Sequence, residues 1–146
     1  MGIEAAEHPS HDDLGELFAR VARQQRRAIL TALEPCGVSP HQARALRQIV
    51  KTGPLRPSQL AEQLRISLRS TTEVVEALVA AGLLRREPDP SDRRAILVSA
   101  TTHGVERSEQ ISEVRAAHGE AFLSALDATD RAQLRQILEK LDHHPE

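Results

Sequence analysis

The sequence predicts a mainly α fold with one small β-hairpin, and three observations carry that expectation. Apolar residues recur at three-and-four spacing through several separated stretches, the signature of helices with one buried face. Two strand-like runs, at 83–87 and 95–100, flank the polar cluster Pro88-Asp89-Pro90-Ser91-Asp92-Arg93-Arg94. Such a pair reads as a hairpin with a longer loop. Finally, the 146 residues include two Phe and no Tyr or Trp, so the core must be built from Leu, Val, Ile and Ala. A chain of this length is long enough to bury one real core.

Residues 1–11 are polar and without periodicity, and read as a flexible N-terminus. From Asp12-Asp13 a long helix begins, its stripe formed by Leu14, Leu17, Phe18, Val21, Ala28, Ile29, Ala32 and Leu33. Pro35-Cys36-Gly37 stops it. Ser39-Pro40 is an N-cap followed by proline at the first helical position, and opens a second helix that runs to about Val50. Its buried stripe is Ala43, Leu46, Ile49 and Val50. Pro57 opens a short third helix ending near Leu64, and Arg65-Ile66 is a tight connection. Ser67 caps a fourth helix over roughly 68–81.

Two short helices joined by so small a turn form a helix-turn-helix. At 100° per residue, Thr71, Val74, Val75 and Leu78 share the inner face of the fourth helix. Arg69, Thr72, Glu73, Glu76 and Ala80 point outward, with Ser70 at the edge. An outward face of short donors and acceptors plus an arginine is what a DNA major groove requires. The hairpin follows directly after Ala81-Gly82, and a helix-helix-helix-hairpin order is that of a winged helix-turn-helix. Prolines 88 and 90 stiffen its loop. Asp92, two residues before Arg94, is placed to hold that guanidinium extended.

Thr101 caps a fifth helix, about 102–125, carrying Val105, Ile111, Val114, Ala121 and Phe122. Asp127 caps the last, whose stripe is Ala132, Leu134, Ile137, Leu138 and Leu141. Asp130 puts negative charge in its first turn, favourable to the helix dipole. The first, fifth and sixth helices exceed what a winged lobe needs. Their stripes call for a partner surface, and a second copy of the chain is the simplest one. The division expected is therefore 12–38 and 101–142 for dimerisation and 39–100 for the winged lobe.

Charge supports a polyanion-binding centre. Residues 42–94 hold ten Lys/Arg against six Asp/Glu, while the rest holds nine against fifteen. No stretch is long and apolar enough for a membrane span, and the N-terminus lacks a basic-then-apolar signal pattern. A single cysteine, Cys36, fits a reducing compartment, and the cytoplasm is the expected location.

The residues Ser39-Pro40, Pro57-Ser58-Gln59-Leu60-Ala61-Glu62, the 67–78 helix, Ala81-Gly82-Leu83-Leu84, Asp89 to Arg94 and Thr101 to Gly104 resemble the MarR family of bacterial transcriptional regulators. The resemblance runs over about 12–142 and is densest from Ser39 to Gly104. It implies a homodimer on double-stranded DNA, with recognition helices in successive major grooves and wings in flanking minor grooves. It implies an inverted-repeat operator, repression, and release by a small-molecule effector. Carried over by position, Arg94 is the wing arginine, with Arg93 beside it and Asp92 as its support. Ser67, Ser70 and Thr72 face phosphates or bases from the recognition helix, where Arg69 is also exposed, and Ser58 adds a contact from the helix before it. Glu73 stands where the family often has Arg or Lys, which shifts readout toward cytosine N4 or weakens phosphate binding. Arg56 replaces the usual Thr or Ser cap, losing a cap and offering a phosphate contact.

Other chemistries find little footing. His8, His11, His143 and His144 lie at the termini, and His41, His103 and His118 are isolated, so no metal is expected. The tyrosines that assist the reactive cysteine in peroxide-sensing relatives are absent, and Cys36 reads as an incidental small apolar residue. No nucleophile–base pair, phosphate-cradling glycine loop or carboxylate pair appears at useful spacing, so neither enzymatic activity nor a cofactor is expected. The rival reading is a winged-helix interaction protein that has lost specific DNA binding. Glu73 supports it, and the Asp92/Arg94 tip opposes it.

Overall fold

The computed structural model describes residues 11–143, with side chains from Asp13 onward; the expectations for residues 1–10 and for His144 lie outside the described residues. The chain forms six helices and one hairpin among those residues: α1 (His11–Leu33), α2 (Pro40–Thr52), α3 (Pro57–Leu64), α4 (Leu68–Ala80), β1 (Leu84–Asp89), β2 (Asp92–Ala100), α5 (Thr102–Phe122) and α6 (Ala128–Asp142). A single 3-10 turn, Glu34–Cys36, closes α1, and Gly37 leaves it at φ +66°.

Each start has a local cause. The Ser39 hydroxyl accepts from the Gln42 N–H at 3.2 Å, and the Gln42 side chain returns the bond to the Ser39 N–H at 3.0 Å. Ser67 accepts from the Ser70 N–H at 3.0 Å, and Thr101 from the Gly104 N–H at 3.0 Å. Asp127 and Asp130 cap α6 reciprocally. The turn between α3 and α4 is made by Arg65 at φ +54°, in the left-handed region usually given to glycine or asparagine. Gly82, at φ +73°, ends α4, where the Leu83 N–H bonds back to the Leu78 carbonyl at 2.9 Å.

The core lies where α1's last turns, α2, α3, α4, the hairpin and the first half of α5 converge. Leu33, Leu46, Ile49, Leu60, Leu78, Leu83, Val98 and Ile111 are all under 2 % exposed. Burial stabilises by roughly 1.5–3 kcal/mol per such side chain. Thr71, Val75 and Leu78 are buried in α4 and Val74 is half-buried, so the predicted inner face is correct. In α5 the prediction misplaces two residues: Val105 and Ala121 are exposed, and Gly104, Ser108 and Ile111 are the buried positions. The helix crosses so close to the Leu83 carbonyl that a Cβ at Gly104 would run into it. The Thr101 hydroxyl donates to the Gly82 carbonyl at 2.6 Å, pinning α5 to the same turn.

The hairpin also differs from its prediction. The strands extend through Pro88 and start again at Asp92, leaving Pro90 and Ser91 as the turn. Pro88 is tolerated inside β1 because a two-stranded sheet consists only of edges. Pairing runs regularly from Leu84↔Ala100 to Pro88↔Ile96 and then jumps to Asp89↔Asp92. Arg93, Arg94 and Ala95 are the residues passed over, a multi-residue bulge on β2.

Candidate nucleic-acid interface

Two elements carry most of the predicted contact residues, α4 and the bulged end of the hairpin. On α4, Arg69, Ser70, Thr72, Glu73 and Glu76 are exposed. Several of their polar atoms already have partners. The Ser67 hydroxyl caps the helix and also donates to the Ser70 hydroxyl at 2.9 Å. Thr72 donates to the Leu68 carbonyl at 2.9 Å. Arg69 and Glu73, one turn apart, approach to 3.6 Å with side chains 91 % and 69 % exposed. An ion pair this exposed costs little to open, so both charges remain usable by a ligand. Ser58 is exposed in the first turn of α3.

On the hairpin, Arg93 and Arg94 are exposed and lie in the bulge, freed from the regular ladder. The predicted role of Asp92 needs correction. Its Oδ1 accepts from the Arg94 backbone N–H at 3.0 Å, and no ion pair to the Arg94 guanidinium is present among the described residues. Asp92 therefore shapes the bulge backbone and leaves the arginine head free. The local reason is that a carboxylate two residues upstream closes an Asx-type turn more readily than it reaches a long, solvated side chain.

Arg56 is likewise not the free phosphate-seeking group expected. Its guanidinium donates Nε to Asp89 Oδ2 at 2.8 Å, and Nη2 lies 2.7 Å from the same oxygen. Arginine has no acceptor with which to cap α3, and the Gln59 side chain takes the Arg56 N–H instead, at 2.9 Å. Asp89 is a residue that sequence reasoning passed over. Its side chain is only 8 % exposed. Its Oδ1 accepts from both the Ser91 N–H, at 2.9 Å, and the Ser91 hydroxyl, at 2.7 Å. The Ser91 hydroxyl and N–H, aided by Arg56, hold its pKa down at about 2. The Asp-x-Ser spacing signals the turn half of this arrangement; the partner 33 residues upstream has no local signal.

At the base of the hairpin, Leu55 and Val98 exchange backbone hydrogen bonds of 3.1 and 2.8 Å, so the segment before α3 runs beside β2. Between α2 and α5 lies a cleft of about 450 Å³ lined by Arg44, Arg47, Gln48, Lys51, Ser108 and Ser112. Arg115 follows on the same face of α5. Its Nε is buried without a hydrogen-bond partner, and burial, then the nearby Arg47, push its pKa down. Among the described residues no cluster of His, Cys, Asp and Glu is placed to hold a metal ion. Cys36 is buried, and its carbonyl accepts from Arg107. No described helix is long and apolar enough to cross a membrane.

The model of the MarR family matches residues 38–96. An uncharacterized HTH-type transcriptional regulator, ML2140 of Mycobacterium leprae, is 32 % identical over 137 residues, covering 91 % of this chain and 93 % of that protein. The HTH-type transcriptional repressor MdtR of Bacillus subtilis is 30 % identical, covering 77 % of this chain and 73 % of its own. Among solved structures, a mutant of MarR from Escherichia coli complexed with operator DNA aligns with a TM-score of 0.76. It is 28 % identical to this chain, over 88 % of this chain and 92 % of that one.

Proposed function

The chain belongs to the MarR family, and from that premise we propose that it is a homodimeric, sequence-specific DNA-binding regulator, a repressor released by a small-molecule ligand. The observation that carries this reading is the pairing of an exposed polar face on α4 with two exposed arginines bulged out of the hairpin. In it, α4 enters the major groove with Arg69, Ser70, Thr72 and Glu73 toward base edges, and Ser58 and Ser67 lie toward phosphates. Arg94, with Arg93, enters the adjacent minor groove, whose negative potential is strongest where A·T-rich sequence narrows it. That a relative, MarR of E. coli, forms a complex with operator DNA supports DNA as the partner, and the repressor name of MdtR supports the sign of regulation.

Dimerisation would use α1, the end of α5 and α6, with 39–100 as the DNA-binding lobe. Exposed Leu14, Phe18, Leu138 and Leu141 support that division. The effector site would be the cleft between α2 and α5. Three cations line it, Arg44, Arg47 and Lys51, with Arg115 beside them on α5 and no ion pair to any of the four among the described residues, which favours an anion. With a DNA-bound role, the cytoplasm is the proposed location. The rival interaction protein draws on Glu73 alone, whereas Arg93 and Arg94 stand exposed on the wing against it.

Fluorescence anisotropy on duplexes that the full chain selects from a random pool tests the reading. Arg94→Ala should weaken binding without moving the melting temperature. It should also shallow the log-affinity against log-salt slope, by roughly one to two per dimer. No selected sequence, or binding without salt dependence, would favour the interaction protein.

A further inference from the structure

Beyond the apolar packing of Leu84 and Val98 in the core, the wing is hydrogen-bonded to the helix-turn-helix at two places among the described residues, both from the segment just before α3. Leu55 bonds through its backbone to Val98 at the wing's base. Its neighbour Arg56 reaches the far end of β1 and holds Asp89 with two nitrogens, at 2.8 and 2.7 Å from one oxygen. The other Asp89 oxygen holds both polar groups of Ser91 in the turn. Asp89 also stands where the ladder resumes after the bulge that displaces Arg93 and Arg94. One buried carboxylate thus couples the turn, the bulge and the N-terminus of α3.

Resting on the DNA-binding reading above, we propose that Arg56 is a positioning residue for the wing: through Asp89 it fixes where Arg93 and Arg94 stand relative to α4, and it is not a phosphate contact. The two roles predict opposite signs for one substitution. Asp89→Asn removes a negative charge from the DNA-binding lobe and releases Arg56. If Arg56 were a phosphate contact in waiting, affinity would rise, since the lobe gains positive charge. A positioning role predicts a fall instead, because the wing arginines lose their fixed presentation. Removing residues that support a binding group costs roughly tenfold or more in metal sites, and a loss on that scale is expected here.

The experiment measures affinity and salt slope for wild type, Asp89→Asn, Arg56→Ala and the double variant, on a duplex selected by the wild-type full chain. Both singles should bind about tenfold more weakly. The double should be no worse than either, as members of one linked unit behave. The salt slope should stay at the wild-type value in all three, unlike Arg94→Ala. The swap Arg56→Asp/Asp89→Arg should recover part of the loss. Hydrogen exchange on the free chain supplies a reading independent of DNA. Amides of 91–96 should exchange faster in Arg56→Ala while those of α4 stay protected, which also confirms that the variant folds. Asp89→Asn binding as tightly as wild type or tighter, a slope shallower by about one per chain in Arg56→Ala, or unchanged wing exchange would each overturn the proposal. Wild type selecting no duplex would defeat the DNA-binding reading, and the exchange result would still decide whether Arg56 orders the wing.

Discussion

In the winged lobe every apolar stripe meets another: Leu46 and Ile49 of α2, Leu60 of α3, Leu78 of α4 and Val98 of β2 are at most 1 % exposed. In the terminal helices, equally regular stripes meet little. Leu14 is 68 % exposed, Phe18 56 % and Leu141 57 %, and α6 has no buried residue at all. An open apolar hollow lined by Phe18, Val21, Phe122, Leu134 and Leu138 lies between the two ends of the chain. Arg131 ties α6 to the end of α5 through Glu120 at 2.9 Å and the carbonyls of Leu123 and Leu126. Helix α6 is therefore tied on by polar contacts while its apolar face stays open, whereas α1 and α5 are anchored at one end only, by Leu33 and Ile111 in the lobe's core. The lobe is a finished core, and the terminal region is half of one. A large exposed apolar surface on a regular element marks an association site, and in the proposed dimer a second, identical half would cover it.

Substitutions separate the two regions, and the largest effect belongs to the lobe. Leu46→Ala should destabilise by about 2–5 kcal/mol, the range for a buried leucine that leaves a cavity. Its effect should be the same at every protein concentration in thermal or urea denaturation. Next comes the joint between the regions. Gly104→Ala places a Cβ against the Leu83 carbonyl, and forcing backbone apart there should cost roughly 1–3 kcal/mol. Exchange protection in the first turn of α5 should fall with it.

In the open half, Leu141→Ala should cost little in dilute, monomeric protein, because more than half of that side chain is already in water. At concentrations where the dimer forms it should cost on the order of 1–2 kcal/mol per chain, read from a shift in the sedimentation isotherm. Equal effects at both concentrations would break the comparison. The smallest expected change is in acid. Asp89 has its pKa lowered to about 2 by Ser91 and Arg56. A lowered carboxylate contributes fully above about pH 4 and loses its contribution as pH falls through about 2. The stability gap between wild type and Asp89→Asn should therefore be constant from pH 5 to 7 and shrink between about pH 4 and 2.

What the sequence made legible follows the range of each interaction. Ser39, Ser67, Thr101 and Asp127 cap helices within three residues of themselves, and each was readable. The inner face of α4 was readable too, because helical periodicity reports burial directly. Val105 was misplaced because periodicity looks for large apolar residues. The buried side of α5 begins with Gly104 and Ser108, small because the helix crosses Leu83 so closely. The hairpin's outline was visible, but its bulge was not, since register depends on the partner strand. Asp92 was assigned to the wrong atom of Arg94. Asp89 escaped notice because its partner Arg56 is 33 residues away and nothing local announces the pair.

In the proposed assembly two copies of the chain, joined through the open half, present two finished lobes to one stretch of DNA. Sedimentation of a fluorescent duplex, selected from a random pool by the wild-type chain, tests it most directly. The prediction is an inverted repeat bound by two chains. Binding should fall steeply in Phe18→Glu/Leu138→Glu, which puts charges on the open faces while the lobe keeps its wild-type exchange protection. A tight complex of one chain per duplex, unchanged by those charges, would contradict it.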